Sequence, residues 1–272
     1  MGILNVTPDS FFDRGRYQSI AAALRQVEQM IAAGASIIDI GGESTRPGAV
    51  PVPLQEELHR VMPILEAIVA RFDVWVSVDT YKPEVMLAAA AAGANLINDI
   101  MALRYPGALT AAAATGLPVC LMHRLGESVP MQKPHYQRLL PEIIDFFHER
   151  LACCEAGGIP RARLLLDPGF GFDKALQHNY QLLGQLATLK ILACPLLIGL
   201  SHKLMIRQVV QGLPDPGPSG SVAAAVIAVM QGAQIVRVHD VRETVEALRV
   251  ASAVLEAQSS IALDSLQEVN HA

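Results

Sequence analysis

Eight times along this chain a short apolar run ends in a polar or charged residue, just where a helix-forming stretch begins. The runs end at Asn5, Asp39, Asp79, Asn98, His123, Asp167, the group Ser201, His202 and Lys203, and Arg237 with His239. Repeated strand–helix units of this kind describe an α/β fold in which eight parallel strands close into one (β/α)8 TIM barrel. Such a barrel collects the C-terminal ends of its strands at one mouth. Eight polar strand ends in one chain therefore describe the lining of a pocket.

The length of 272 residues suits a single barrel with a large core. Hydrophobic residues make up 51% of it and charged residues 17%, which excludes global disorder. The net charge is −5, with no basic run and no interleaving of basic and aromatic residues, so the chain is expected to bind no nucleic acid. No apolar stretch is long enough for a membrane span, and the start lacks the basic and apolar regions of a signal peptide. The four cysteines, Cys120, Cys153, Cys154 and Cys194, have neither metal-ligand nor C-x-x-C spacing. A reducing, cytoplasmic location follows as the expectation.

Strands are expected at 2–5, 37–40, 74–78, 95–97, 117–122, 164–166, 196–200 and 235–238. Helices are expected at about 19–33 and 54–71, from Pro83, before the Gly157-Gly158 pair, and from 241 to about 257. Residues 1–258 form the barrel on this reading, and 259–272 a frayed C-terminal tail. Loops run long after strands 1, 2, 5, 6 and 7 and short on the other side, which assigns function to the C-terminal face.

Asp79 and Asp167, like Asp39, follow aliphatic runs and should be buried, where a carboxylate needs donors. Backbone N–H groups could supply them. A flat heterocycle presenting two adjacent N–H groups matches a carboxylate better, and Asn98 adds an amide that both donates and accepts. Asn5, Arg46, Arg237 and His239 belong to strand ends that neighbour one another in a closed ring. Together they suit an anion, although Arg46 alone reads equally as a solvated charge. Asn5 and His239 could help to hold a magnesium–diphosphate unit, since hard cations take oxygen ligands and keep waters. Lys203 is either a donor to a ring atom or a lysine without a role. His123 reads as a satisfied core histidine, and Glu43, Glu56 and Glu57 read as surface charges. There is no G-x-S-x-G, H-E-x-x-H or P-loop, so the pocket is one that joins bound substrates rather than one built on a nucleophile.

The motifs carry a resemblance. Met-Gly-Ile-Leu-Asn-Val-Thr-Pro-Asp-Ser-Phe at 1–11 and Gly-Gly-Glu-Ser-Thr-Arg-Pro-Gly at 41–48 are long and specific. Ser-Val-Asp-Thr at 77–80, Ile-Asn-Asp at 97–99, Asp-Pro-Gly-Phe-Gly-Phe at 167–172 and Arg-Val-His-Asp at 237–240 follow in order. The chain so closely resembles the dihydropteroate synthases, TIM barrels that are usually dimeric. They join 6-hydroxymethyl-7,8-dihydropterin diphosphate to p-aminobenzoate in folate biosynthesis, releasing diphosphate, and are sulfonamide targets.

The resemblance implies that Asp79, Asn98, Asp167 and Lys203 hold the pterin, with Thr45, Met122 and Phe172 beside it. It implies Arg237 and His239 on the diphosphate and Asn5 linked to Mg2+. Loops 9–14 and 44–48 would help to bind p-aminobenzoate, and diphosphate would leave before the amine attacks. Catalytic work would fall to Lys203, Arg237, His239 and Asp79, in a homodimer.

The departures cluster. The family usually reads Ser-Arg-Lys-Ser after strand 7, its last Ser meeting the p-aminobenzoate carboxylate; here the order is Ser201, His202, Lys203, Leu204. Phe12, Asp13 and Arg14 alter the first loop. Arg124 and Leu125 replace a common Met-Gln pair, and Asp173 stands where Gly is frequent. The segment that usually precedes strand 1 does not appear. Arg14 or Arg207 could take over carboxylate recognition. Two alternatives follow: a paralogue that binds pterin or its diphosphate without making pteroate, and a pterin barrel that transfers methyl groups. The loop at 41–48 and the Arg237–His239 pair speak against the latter, whose chemistry releases no diphosphate.

Overall fold

The computed structural model describes residues 1–6, 16–44, 50–126, 136–210 and 217–269. Its strands are β1 (Gly2–Asn5), β2 (Ile37–Gly41), β3 (Trp75–Asp79), β4 (Leu96–Asp99), β5 (Val119–Met122), β6 (Leu164–Asp167), β7 (Leu197–Ile198) and β8 (Ile235–Val236). Between them run α1 (Arg16–Ala32), α2 (Leu54–Arg71), α3 (Pro83–Ala91), α4 (Ala108–Thr115), α5 (Leu139–Ala156), α6 (Leu176–Gly184), α7 (Leu204–Val209) and α8 (Ser219–Met230). The last helix is α9 (Val241–Val269).

Strands β1 to β6 pair in order, all parallel, and β7 pairs with β8. Two parallel bridges, Leu166 with Leu196 and Gly2 with Val238, join the two sheets at both ends. Leu166 N–H donates to Pro195 O at 2.9 Å and Ile3 N–H to Val238 O at 3.0 Å, which closes the ring. β7 is short for a local reason: Pro195 has no N–H to give to a ladder, and Gly199 follows Ile198.

α2 shows how the wall is built. Glu57, Val61, Ile64, Leu65 and Ile68 recur at helical spacing and are its buried face, packed against the strands. Each such aliphatic side chain contributes roughly 1.5–3 kcal/mol by leaving water. Pro83 opens α3 at a position where its missing N–H removes no helical bond. α9 continues to Val269, beyond the end expected near 257, because no Gly or Pro follows Val241 to stop it. Among the described residues no helix is long and apolar enough to cross a membrane.

The register positions the site. Asn5 pairs with Gly41, Gly41 with Asp79 and Asp79 with Asn98, so these four form one row around the ring. Asp39 pairs with Ile3 and Ser77, two residues further from the mouth. It is not a strand end, as its place after an apolar run suggests, because β2 continues through Ile40 to Gly41.

Candidate active site

At the centre of the mouth Arg237 lies between two carboxylates. Its Nε donates to Asp39 Oδ2 at 2.5 Å and its Nη2 to Asp79 Oδ2 at 2.8 Å. Asn98 Nδ2 also donates to Asp39 Oδ2, at 3.3 Å. Asp39 is wholly buried; both bonds fall on its Oδ2, which holds Arg237 and Asn98, while Oδ1 has no hydrogen-bond partner among the described residues. Burial pushes the Asp79 carboxyl up to about 7; Arg237 pulls it down, and Asp39, Glu57 and Asp99 add repulsion. Arg237 remains a cation, its guanidinium raised by Asp39 and Asp79 against the effect of burial. Arg237 thus faces the buried carboxylates Asp39 and Asp79 as well as the rim, where the sequence pattern suggests an anion alone.

The opposite wall comes from β5, β6 and the turn before α7. Asp167 accepts a hydrogen bond from Gly169 N–H at 2.8 Å, which leaves the carboxylate with capacity for a ligand. Gly169 has a φ of +70°, and a Cβ there would lie 2.0 Å from His123 O, so only glycine fits this turn. Phe172 and Met122 pack together with Ile100 and Met101 in a small apolar cluster of their own. The Lys203 ammonium sits 4.3 Å from the centre of the Phe172 ring. Burial lowers Lys203 to about 8, against the attraction of Asp167. The wall and centre together offer two carboxylates, an amide and an ammonium around a slot with one apolar face.

At the rim Ser201 Oγ lies 2.9 Å from His239 Nδ1 and accepts from His239 N–H at 3.1 Å. His202 Nε2 is 2.7 Å from Asp240 Oδ2, and its ring is 4.9 Å from that of His239. Leu204 opens α7 and is 67% exposed. Arg207 lies on the same helix and is also exposed. Asn5 is close to Asp79: a Cβ on Gly41 would meet Asp79 Oδ2 at 3.7 Å and Asn5 Oδ1 at 3.8 Å. Thr45, Arg46 and loop 9–14, with Arg14, lie outside the described residues.

Two buried networks support the mouth, and sequence reasoning misses both. Lys82 Nζ donates to Glu43 Oε2 at 2.7 Å and to Glu57 Oε2. Thr80 Oγ1 donates to Glu57 Oε1 at 2.6 Å, Tyr81 Oη to Glu43 at 3.1 Å, and Val52 N–H to Glu43 Oε2 at 3.0 Å. Glu43 and Glu57 are therefore not surface charges. They tie both ends of the loop after β2 to the turn after Asp79. In the second network Lys174 Nζ donates to Gly169 O at 3.0 Å, Phe172 O at 3.2 Å and His123 Nδ1 at 3.0 Å. Burial brings Lys174 down to about 7 and holds His123 well below its usual value. His123 is a satisfied core histidine, packed edge-on against Phe146.

A family model of pterin binding enzymes matches residues 1–239. A dihydropteroate synthase of Escherichia coli is 56% identical over 261 residues, 96% of this chain and 93% of its own. The chain belongs to the dihydropteroate synthase family.

Dihydropteroate synthases of known structure superpose closely on it. That of Yersinia pestis in a sulfonamide drug complex has a TM-score of 0.89 and 56% identity, covering 94% of each chain. That of Xanthomonas albilineans with 4-aminobenzoic acid has a TM-score of 0.88 and 50% identity, covering 94% of this chain and 92% of that one. The synthase of Haemophilus influenzae is 50% identical over 94% of both chains. Full-length likeness at these levels favours the synthase over a paralogue or a methyl-transferring barrel.

Proposed function

We infer that this chain is a working dihydropteroate synthase, condensing 6-hydroxymethyl-7,8-dihydropterin diphosphate with p-aminobenzoate to give 7,8-dihydropteroate and diphosphate. The observation that carries the reading is the meeting of Asp79, Asn98, Asp167 and Lys203 around one slot, with Met122 and Phe172 along its face. The ionised carboxylates of Asp79 and Asp167 take the N–H edges of the pterin. Asn98 answers a donor and an acceptor together, and Lys203 donates to a ring acceptor. Phe172 and Met122 cover the ring face and exclude water.

Arg237 and His239, with Arg46 from the loop after strand 2, hold the diphosphate. As the carbon–oxygen bond breaks, negative charge gathers on the diphosphate beside Arg237, while positive charge on the pterin is balanced by Asp79 and Asp167. The amine of p-aminobenzoate then attacks the exposed carbon, and its proton passes to solvent water. The residues fit a substrate-borne Mg2+: Asn5, whose amide oxygen lies near Asp79, would help to hold it together with the diphosphate. When bound, it neutralises charge on the leaving group.

The protein acts as a cytoplasmic homodimer on this reading. The exposed Ile227, Met230, Val250 and Val254 of the contacting helices α8 and α9 support an apolar subunit contact. Free Cys120, Cys153, Cys154 and Cys194 support a reducing compartment. Sedimentation at micromolar concentration tests the dimer. A coupled diphosphate-release assay with mass detection of dihydropteroate tests the activity. Release that does not depend on p-aminobenzoate would overturn it.

A further inference from the structure

The loops after β5 and β6 meet at a pair of buried charges that the reaction itself does not use. Arg124 and Asp173 have side chains only 2% and 0% exposed, with Arg124 Nε 3.9 Å from Asp173 Oδ2. The same Oδ2 accepts a hydrogen bond from Leu125 N–H at 3.1 Å. Asp173 holds this position with a φ of +49°, a left-handed conformation that side chains other than glycine rarely take. Such backbone persists where its surroundings over-determine it, and here a carboxylate reaches across to the neighbouring loop. Arg124 is fixed from other directions as well. Its Nη1 lies 3.5 Å from Met101 Sδ, and Arg104 Nη2 donates to the carbonyls of Arg124 at 3.0 Å and Gly126 at 3.1 Å.

The position of the pair in the chain gives it a consequence for the slot. Met122 is two residues before Arg124, and Phe172 immediately precedes Asp173. Met122 and Phe172 belong to one small cluster, to which Met101, touched by Arg124, also belongs. The next residue, Lys174, donates to the carbonyls of Gly169 and Phe172. We propose that Arg124 and Asp173 are paired positioning residues that set the spacing between the strand 5 and strand 6 loops, and with it the width of the Met122–Phe172 wall against which the heterocycle stacks. The proposal rests on the pterin reading of the slot.

The two charges depend on each other. Removing one takes away the buried counter-charge that faces the other, whereas removing both takes away the pair together. Asp173→Gly is a suitable probe because glycine keeps the positive φ without strain. Arg124→Met keeps most of the length of the side chain. Each single variant is expected to raise KM for pterin diphosphate about tenfold while KM for p-aminobenzoate stays within about twofold. The double variant is expected to return to within about threefold of the parent. Arg124→Lys, which keeps the charge, should stay near the parent.

Single variants that lower only the thermal midpoint and leave the pterin KM unmoved would overturn the proposal. So would a double variant no better than its worse parent. If either single variant fails to fold, Asp173→Asn and its combination with Arg124→Met decide by the same KM pattern. A parent protein that makes no pteroate would sink the synthase reading alone. The pair is then judged by calorimetric affinity for 6-hydroxymethylpterin across the same variants, where loss in the singles and recovery in the double supports it. A parent with no pterin affinity overturns both.

Discussion

Arg237 Nη2 lies 2.8 Å from Asp79 Oδ2 while its Nε is held by Asp39, so one guanidinium spans two carboxylates from different strands. Arg237 stands 158 residues from Asp79 and 198 from Asp39 in sequence, and the three meet only because the ring closes. Asp39 fixes the orientation of Arg237, and Arg237 compensates the charge of Asp79. A planar fork does this with two donors at fixed angles, and an ammonium cannot. Arg237→Lys is therefore expected to lower kcat/KM for pterin diphosphate by more than about tenfold. It should also destabilise the fold by about 1–3 kcal/mol, since one buried carboxylate loses a charge-assisted bond. Steady-state kinetics with urea unfolding checks both.

Activity should follow a narrow bell in pH. On the proposed reading Asp79, raised to about 7, has to be ionised to take the N–H edge of the ring, and Lys203, lowered to about 8, has to be protonated to donate. The limbs of kcat/KM for pterin diphosphate report these free-enzyme groups, with loss expected below about 7 and above about 8. Lys203→Arg, charged at every accessible pH, should remove the alkaline limb. An unchanged alkaline limb in that variant would assign it elsewhere.

Stability should run against this activity. Asp79 has a folded value above its ordinary 3.8, so its contribution is full below about 4 and is lost as pH rises through about 7. Lys203 is shifted below its ordinary 10.5, so its contribution is present above that value and lost as pH falls through about 8. Between these limits both groups are charged at the expense of the fold. Asp79→Asn should accordingly raise the thermal midpoint at about pH 8 more than at about pH 5 while it weakens pterin binding.

Lys82 is the only cation that the described structure places on both Glu43 and Glu57. Lys82→Met leaves two buried carboxylates to the weaker donors Thr80, Tyr81 and Val52. A loss of about 3–5 kcal/mol in unfolding free energy is expected, the usual effect of breaking a buried pair. Urea denaturation measures it.

Much of this site is legible in the amino-acid sequence. Asp79, Asn98 and Asp167 stand within or at the end of short aliphatic runs, and parallel strands in register bring such positions together without further information. Lys203 follows from the same rhythm. The depth of a residue in the barrel is less visible: Asp39 resembles Asp79 in sequence, but Ile40 and Gly41 extend its strand and set it one layer lower. The Glu43–Lys82–Glu57 network is hidden because charged residues in a polar stretch look solvated. One signal points to it, since Glu57 stands four residues before Val61 on the apolar stripe of α2. Lys174 gives no such sign, because its three acceptors are two carbonyls and a histidine ring that only the folded loop assembles.

On the proposed reading the second substrate meets the segment after β7, where Leu204 stands. Leu204 is 67% exposed at the start of α7, immediately after Lys203, and its side chain has no group to donate to a carboxylate. Apolar exposure here costs hydration without offering recognition. Serine at this position restores a hydroxyl, and a hydrogen bond to a charged group contributes about 1.5–3 kcal/mol, or roughly ten- to a hundredfold in affinity. Solvent access to the rim places the expectation at the lower end. Leu204→Ser should therefore lower KM for p-aminobenzoate about tenfold, leave KM for pterin diphosphate within about twofold, and sharpen inhibition by sulfonamides in proportion. If the p-aminobenzoate KM does not move, carboxylate recognition lies elsewhere, and Arg207→Ala on the same helix becomes the discriminating variant: a rise in that KM then assigns the role to its guanidinium.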